Sequence, residues 1–242
     1  MRPVCEFGMM GSRFSPARSE ISSLLRLLST TMNLEQMLAQ AGIDRFARLA
    51  NSRVNDFLLR ERGSRIPQLA HSLTDSEVLR HLWLVDTLEQ FADLTRCSFC
   101  ILPGRYGLLA QLVRSRTPDA PITSFDNSTE CEILGRELDP DRSIRFTTVD
   151  WADYQPDAGA FNVIICPSCH LLPEHLPAQL LAGKSADTIV VLQSCRPAGG
   201  RPESGAAPIS ELAEIARYRA PNQHYRGALT VGDLACHMVI AQ

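Results

Sequence analysis

The sequence has no apolar run that approaches the length of about 18 residues needed for a membrane-spanning helix. It also lacks an excess of charge of one sign, because 24 basic residues accompany 27 acidic ones and the net charge is −3. We therefore expect no membrane association, and the charge gives no strong signal for nucleic-acid binding. No internal repeat or long low-complexity segment is present, and no feature specifies an oligomeric state.

The first thirty residues lack the compact apolar core that precedes the cleavage site of a secretory signal. They contain arginines and serines, which leaves a transit peptide as an alternative, but they also contain Glu6 and Glu20. We interpret residues 1–31 as a disordered leader or as sequence upstream of a true start at Met32. Residues 32–73 are predicted to form a helical segment, because apolar residues recur at helical intervals from Asn33 to about Arg60.

The eight cysteines are not arranged as a typical disulfide framework. Several lie in apolar runs, so we predict reduced, buried thiols and a cytoplasmic location. The pairs "CSFC" (97–100) and "CPSC" (166–169) raise zinc binding as an alternative. Cys97 and Cys100 are expected on one strand, where positions three apart point to opposite faces. We therefore predict no metal site.

Residues 74–94 carry the strongest helix pattern, with Thr74 and Glu77 in the positions of a capping box. Beyond this helix, short apolar runs alternate with helical patterns. The runs are 97–102, 121–126, 143–150, 161–166 and 187–194. This alternation predicts an α/β domain over residues 74–242, with a mostly parallel, Rossmann-like sheet and helices on both faces.

The C-terminal part has a different pattern. A Pro/Gly-rich stretch leads to a helix predicted near residues 209–219, and "QHYRGALTVGDLACHMVIA" then reads as two strands around a turn at Gly232–Asp233. We predict that this hairpin makes the end of the sheet antiparallel.

Ligands of open α/β sheets bind beyond the carboxyl ends of the strands, and this rule selects the candidate site residues. Pro103–Gly107 follows the first strand, where Gly107 would let the next helix pack closely. Asp126 ends the second strand and can accept hydrogen bonds from ribose hydroxyls. Asp150 ends the third strand and can accept from an exocyclic amine, beside the flat face of Trp151.

The fourth stretch, "ICPSCHLLPEH", ends the fourth strand and contains Cys166, Cys169 and His170. A simpler structural interpretation exists for each candidate. Asp126 and Asp150 can cap turns, Trp151 can be a packing residue, and His170 can be an ordinary loop histidine.

Together these motifs resemble the class I S-adenosylmethionine-dependent methyltransferase family over about residues 75–242. The matching motifs are "ILPGRYGLLA", "ITSFDNS", "FTTVDWAD", "FNVIICPSCHLLPE" and the terminal hairpin. The resemblance implies S-adenosylmethionine as the cofactor. The residues it implies at the cofactor site are Gly104, Arg105, Tyr106, Gly107, Asp126, Asn127, Asp150, Trp151 and Cys166.

The glycine loop departs from the family pattern. Aligned without gaps, Gly107 takes the place of the last loop glycine, while Pro103 and Arg105 replace the two earlier ones and Ile101 replaces the usual acid. Arginine adds bulk where the backbone of the family approaches the methionine part of the cofactor. The Arg105 side chain either pairs with the carboxylate of the cofactor or fills the pocket.

The favoured function is methyl transfer to a small-molecule or macromolecular acceptor. His170 is the predicted general base for an acceptor that must lose a proton, with Cys169 second as a nucleophile or pocket wall. One alternative is a methyltransferase fold kept as a binding or scaffolding module without turnover. Another is aminocarboxypropyl transfer from the same cofactor.

Overall fold

A computed structural model describes residues 72, 74–139, 141–155, 157–173, 175–197, 223–232 and 234–242. The predicted leader (1–31), most of the predicted helical segment (32–73) and the predicted helix at 209–219 lie outside the described residues. In the described part no helix is long and apolar enough to cross a membrane.

Seven strands and four α-helices make up the described domain. The helices are α1 (Asp75–Leu88), α2 (Leu108–Arg116), α3 (Thr129–Leu138) and α4 (His175–Gly183). The strands are β1 (Phe99–Ile101), β2 (Ile122–Asp126), β3 (Ile144–Thr148), β4 (Val163–Cys166), β5 (Ile189–Pro197), β6 (Gln223–Val231) and β7 (Leu234–Ala241). Short 3₁₀ turns span Leu94–Arg96, Ala158–Ala160 and Cys169–Leu171.

The strands form one sheet in the order β3-β2-β1-β4-β5-β7-β6. The first five strands pair in parallel, while β7 pairs antiparallel with both β5 and β6. Chain order reverses between β1 and β4, which is where ligands bind in doubly wound sheets. The predicted α/β fold with a C-terminal antiparallel hairpin is confirmed, and a turn at Gly232 joins the two hairpin strands.

Two apolar cores cover the two faces of the sheet. One is built from α1, α2 and α3 against one side of the strands, with Phe99 and Ile101 from β1. The other is built from α4 and the segment after β3, with Cys100 and Ile164 from the sheet. Alternate residues of β1 therefore enter opposite cores, as the period of two in a strand requires.

The start of α1 differs from the capping-box prediction. Thr74 is the N-cap residue and has extended backbone angles, but its side chain makes no capping hydrogen bond. The carboxylate of Glu77 instead contacts the Arg80 guanidinium at 2.6 Å. An ion pair to a charged group is stronger than a hydrogen bond to a backbone amide, so Glu77 turns along the helix rather than back toward Thr74.

The prediction that all cysteines are reduced is wrong. Cys195 and Cys236 face each other across the antiparallel pair of β5 and β7 and form a disulfide. Cys97 is also disulfide-bonded. The free thiols in the described part are Cys100, Cys131, Cys166 and Cys169, all buried. The prediction failed because it read several cysteines as parts of apolar runs and did not consider which residues face one another across β5 and β7.

Candidate functional site

A cavity of about 590 Å³ lies at the carboxyl ends of β1, β2 and β3. Its lining comes from the loops that follow β1, β2, β3 and β4, together with Ser72 ahead of α1 and Cys131 of α3. The lining residues are Ser72, Pro103, Arg105, Tyr106, Asp126, Asn127, Ser128, Cys131, Trp151 and Leu171. We call this space the carboxyl-edge cavity. Its volume is in the usual range for small-molecule sites.

A larger cavity of about 800 Å³ lies at the opposite edge of the sheet, near Ile122 and Ile144 at the starts of β2 and β3. The volume of this cavity would allow a cofactor site, but its position argues against one. Ligands of this sheet type bind at the carboxyl ends of the strands, where helix N-termini and loop amides converge.

The loop after β1 approaches β2 closely at Gly104. The Gly104 N–H donates a hydrogen bond to the Phe125 carbonyl at 2.7 Å. A β-carbon at this position would clash with the Ser124 hydroxyl oxygen and lie 3.0 Å from the Ser124 β-carbon, so the buried Ser124 side chain would have to shift. Glycine at position 104 therefore allows the loop to pack closely against β2.

Gly107 serves the packing of α2. It is the N-cap residue of this helix and has a φ of 87°, in the left-handed region that favours glycine. A β-carbon here would lie 2.7 Å from the Phe146 ring of β3. The expectation that Gly107 allows close packing of the following helix is borne out by this contact. Gly107 is not among the residues that line the carboxyl-edge cavity.

The Asp126 carboxylate connects the loops after β1 and β2. Oδ2 accepts a hydrogen bond from the Arg105 N–H at 2.9 Å, and Oδ1 accepts one from the Ser128 N–H at 3.1 Å. Asp126 is buried yet lines the cavity. Each carboxylate oxygen has a second lone pair, so the acid holds the loops and can still accept a hydrogen bond from a ligand.

Arg105 lies at the entrance of the loop and is half-buried. Its φ is 47°, a left-handed conformation that is uncommon for a residue with a side chain. Its backbone N–H is held by Asp126, and within the described residues its guanidinium makes no hydrogen bond or ion pair. The charge therefore lies in the cavity wall without a protein partner from the described part of the chain.

The Trp151 side chain is more buried than it would need to be to stack its ring on a purine. Only 6% of its surface is exposed, and its ring packs edge-on against Tyr154 at 6.0 Å. It belongs to the second apolar core and also contributes to the cavity wall. The packing interpretation of Trp151 thus holds, together with a contact to the cavity.

Asp150 and Cys166 do not reach the cavity. Asp150 is exposed, and its Oδ1 accepts the Ala152 N–H at 2.9 Å, which is the turn-capping role considered above. Cys166 is fully buried in the second apolar core, and burial raises the pKa of its thiol. Neither side chain is among those that line the carboxyl-edge cavity.

His170 lies on the 3₁₀ turn after β4, beside the cavity residue Leu171. Its Nδ1 is 2.8 Å from the Ser194 hydroxyl oxygen on β5. Desolvation of the ring, together with the positive charges of Arg80 and Arg105, lowers the pKa of His170 to about 4. The lowered pKa keeps the His170 ring neutral near pH 7.

Cys169 is buried beside His170. Burial raises the pKa of its thiol to about 12, so the thiolate that a nucleophile requires is disfavoured. Cys169 belongs to the second apolar core and is not among the residues that line the carboxyl-edge cavity.

A buried polar network supports the loop after β4 and was not predicted from the sequence. The Arg80 guanidinium donates to the Pro167 carbonyl at 2.6 Å and to Gln193 Oε1 at 2.7 Å, and it pairs with Glu77. Arg80 is only 2% exposed. The sequence signal was the polar set Glu77, Arg80 and His81, which lies at helical spacing on the face that carries buried apolar residues.

No protein-family model matches the sequence, and no curated protein matches it. The fold does match solved structures. Geranyl diphosphate C-methyltransferase from Streptomyces coelicolor A3(2), solved with Mg²⁺, geranyl diphosphate and S-adenosyl-L-homocysteine, matches with a TM-score of 0.53. The identity is 14%, over 75% of this chain and 85% of that one.

Two further structures are similar to the same degree. A geranyl diphosphate methyltransferase solved with SAM has a TM-score of 0.51 at 13% identity, over 76% of this chain and 93% of that one. The PH0226 protein of Pyrococcus horikoshii OT3 has a TM-score of 0.50 at 12% identity, over 71% and 94%. The chain therefore has the fold of class I S-adenosylmethionine-dependent methyltransferases, as its motifs predicted.

Proposed function

We propose that this protein binds S-adenosylmethionine in the carboxyl-edge cavity and transfers its methyl group to an acceptor. One observation carries the proposal. The cavity of about 590 Å³ brings together Arg105, Asp126 and Trp151 at the edge of the sheet where this fold binds its ligands.

The residues in the cavity wall fit the parts of this cofactor. Asp126 offers carboxylate lone pairs to ribose hydroxyls, and the indole of Trp151 offers apolar surface to the adenine. The guanidinium of Arg105, which has no ion-pair partner among the described residues, suits a carboxylate. The bound cofactor would supply a methyl group on an activated sulfonium, so the protein has mainly to position the reactants and exclude water.

We assign His170 the role of general base for an acceptor that loses a proton. A neutral imidazole can accept a proton, and the lowered pKa of His170 keeps the ring neutral near pH 7. Its Nδ1 faces the Ser194 hydroxyl at 2.8 Å, which leaves Nε2 as the atom for the acceptor. Ser194 positions the ring.

Small molecules are the first class of acceptor to test, because two of the similar structures are methyltransferases of geranyl diphosphate. Aminocarboxypropyl transfer from the same cofactor is distinguished by its products. Methyl transfer leaves S-adenosylhomocysteine, whereas aminocarboxypropyl transfer leaves methylthioadenosine. The cytoplasmic location stays a prediction.

Tryptophan fluorescence provides a direct test of binding, because the chain has only two tryptophans. Trp83 lies in the first apolar core and contacts Tyr225 edge-on, so a Trp83→Phe variant leaves Trp151 as the only tryptophan. We expect S-adenosylmethionine to change the fluorescence of this variant with a saturable dependence. A folded variant without any response in fluorescence or calorimetry at millimolar ligand would contradict the proposal.

A binding or scaffolding module without turnover is the second candidate. One observation in its favour is that Pro103 and Arg105 stand in place of two loop glycines. Another is that both carboxylate oxygens of Asp126 already accept hydrogen bonds from backbone amides. This candidate predicts that the protein binds the cofactor weakly or not at all, and that Arg105→Gly does not reduce its function. Cofactor binding followed by methyl transfer to any acceptor excludes it.

A further inference from the structure

The antiparallel end of the sheet presents a surface next to the candidate site. Ser194 of β5, whose hydroxyl contacts His170, pairs with His237 of β7, and His237 also pairs with Ala228 of β6. Cross-strand partners lie on the same face of an antiparallel sheet, so this row runs from the His170 contact to the edge strand. We call the surface beyond Ser194 the hairpin face, and it consists of Arg196, Arg226, Ala228, Thr230, Ala235 and His237.

Two arginines and a histidine form a diagonal row across the hairpin face. Arg196 lies two positions along β5 from Ser194, and Arg226 lies two positions along β6 from Ala228, on opposite sides of His237. Diagonal neighbours of this kind are about 7–8 Å apart. Burial, together with the positive charges of Arg196 and Arg226, lowers the pKa of His237, in agreement with their position on either side of the ring.

The positive charges of this row are available to a partner molecule. Arg196 and Arg226 are exposed, and within the described residues neither guanidinium makes a hydrogen bond or an ion pair. None of the six residues of the hairpin face is acidic. The chain as a whole has a net charge of −3, so the charge of this face is locally of the opposite sign and suits an anionic partner.

The surface between the charges is built from small side chains. Ala228 and Thr230 are exposed, and Ala235 is half-buried. Peptides dock through aromatic or large apolar anchors that enter pockets, and the residues of the hairpin face supply no such pocket walls. A flat surface with spaced cations suits a chain with a negative charge on every unit of its backbone, which is the chemistry of a nucleic acid strand.

We propose that the hairpin face docks single-stranded nucleic acid through its phosphates, with Arg196 and Arg226 as the two phosphate contacts. A strand along this row lies beside Ser194 and the loop that carries His170. A single strand fits better than a duplex, because a base within a duplex reaches an active site only when it is flipped out. Docking itself is independent of the proposed function, whereas the use of the docked strand as a methyl acceptor rests on it.

The test measures the binding of a fluorescein-labelled oligouridylate to the full chain by fluorescence anisotropy. A length of about 12 nucleotides is within the range that single-strand binding surfaces cover. Binding is measured between about 50 and 200 mM salt. Because two phosphate contacts release counterions, we expect the logarithm of the binding constant to fall with the logarithm of the salt concentration with a slope of about −1.4.

Arg226→Ala removes one of the two proposed contacts. We expect it to weaken binding at low salt by about fivefold and to reduce the salt slope by about 0.7. Arg145→Ala is the matched control, because Arg145 is an exposed arginine on β3, the edge strand at the other end of the same sheet. It should leave both the affinity and the slope unchanged. Both side chains are exposed, so both variants should fold, which their melting temperatures verify.

Competition with an oligoglutamate of equal net charge tests the class of partner. Guanidinium groups pair with carboxylates as well as with phosphates, so an acidic peptide is the alternative occupant. We expect unlabelled oligouridylate to displace the probe at a lower concentration than the oligoglutamate does. Displacement by the oligoglutamate at an equal or lower concentration would overturn the assignment to nucleic acid.

Calorimetry with S-adenosylmethionine on the same preparation separates this inference from the proposed function. If the oligouridylate binds as expected and the cofactor does not, the docking surface stands and the proposed function fails. If the cofactor binds but the oligouridylate does not, or if Arg226→Ala binds it as tightly as Arg145→Ala, the docking surface is overturned and the proposed function stands. Occupation of the hairpin face by residues 198–222, which lie outside the described residues, would give this second result.

Discussion

The backbone N–H of Arg105 donates a hydrogen bond of 2.9 Å to Oδ2 of Asp126, which joins the loop after β1 to the end of β2. The acid that the sequence suggests as a ribose ligand thus also fixes the loop that holds Arg105. Because the other oxygen of the carboxylate binds the Ser128 N–H, a single side chain organises two walls of the carboxyl-edge cavity. Changes at Asp126 should therefore affect stability and ligand binding together.

Asp126→Asn tests this double role. The amide keeps the shape of the carboxylate but replaces one acceptor oxygen by a donor, so one backbone N–H loses its partner. We expect the free energy of unfolding, measured by urea denaturation, to fall by about 1–3 kcal/mol, with weaker binding of S-adenosylmethionine.

Asp157→Asn is the control for Asp126→Asn. Asp157 is exposed and precedes a 3₁₀ turn, and its side chain makes no capping hydrogen bond. We therefore expect the free energy of unfolding to change by no more than about 0.5 kcal/mol. Equal effects of the two variants would show that the hydrogen bonds of Asp126 do not stabilise the loops.

Gly107→Ala tests the close packing of α2 on β3. Alanine would be held at a φ of 87°, and its β-carbon would lie 2.7 Å from the Phe146 ring. A left-handed backbone conformation costs a residue with a side chain about 1–2 kcal/mol, and overpacking costs about 1–3 kcal/mol. We therefore expect the free energy of unfolding, measured by thermal or chemical denaturation, to fall by at least about 2 kcal/mol.

Gly159→Ala is the matched control for Gly107→Ala, because its added β-carbon would have no neighbour closer than 3.7 Å. It should leave the free energy of unfolding within about 0.5 kcal/mol of the wild type. If Gly107→Ala is tolerated as well as Gly159→Ala, the loop does not need its last glycine.

Glu77→Ala is expected to be among the most destabilising changes in α1. It removes the carboxylate that pairs with Arg80, whose side chain is 2% exposed, and so leaves a buried positive charge. Breaking a buried pair in this way costs about 3–5 kcal/mol. Circular dichroism during denaturation measures the loss.

The exposed pair of Arg116 and Asp86 gives the comparison for Glu77→Ala. Their side chains are 39% and 54% exposed, and Asp86→Ala should cost no more than about 1 kcal/mol. If Glu77→Ala lowers the free energy of unfolding no more than Asp86→Ala does, hydrogen bonds to neutral groups are enough to stabilise the buried Arg80 guanidinium.

Acid should destabilise the protein below the pH at which unfolded histidine titrates. Burial lowers the pKa of His81 and His170 in the folded state, so between about pH 6.5 and the lower folded values the unfolded chain binds more protons. The stability that comes from keeping these histidines neutral is therefore complete above about pH 6.5, and it is lost as the pH falls. The change is measured as the urea midpoint at about pH 7 and about pH 5.

His81→Leu isolates the contribution of His81 to this acid effect. Its midpoint should fall less between the two pH values than that of the wild type, while His170 and His237, whose pKa values are also lowered, keep a remaining dependence. An identical pH dependence in variant and wild type would show that His81 does not resist protonation in the folded state.

The fold was predictable from the sequence because its determinants are local. Apolar runs of strand length alternate with helical patterns, and the hairpin around Gly232 carries its own turn signal. The positions of Arg105, Asp126 and Trp151 at one edge follow from the rule for parallel sheets, since each lies at the end of a strand or in the loop that follows it.

Features that depend on distant pairs were not predictable in the same way. The Cys195–Cys236 disulfide joins two cysteines that are 41 residues apart and depends on the register between β5 and β7. The failed capping box at Thr74 depends on Arg80 competing for Glu77. Asp150 matched the motif position, yet the turn that follows it uses its carboxylate.

Binding of S-adenosylmethionine to the carboxyl-edge cavity is tested most directly by calorimetry on the folded chain. We expect saturable binding of one ligand per chain that is strongly weakened by Asn127→Trp, which adds bulk at an exposed position of the cavity wall. Asp119→Trp, in the wall of a cavity at the opposite edge, should leave binding unchanged. A folded protein that binds no ligand at millimolar concentration, or equal binding by both variants, would contradict the account.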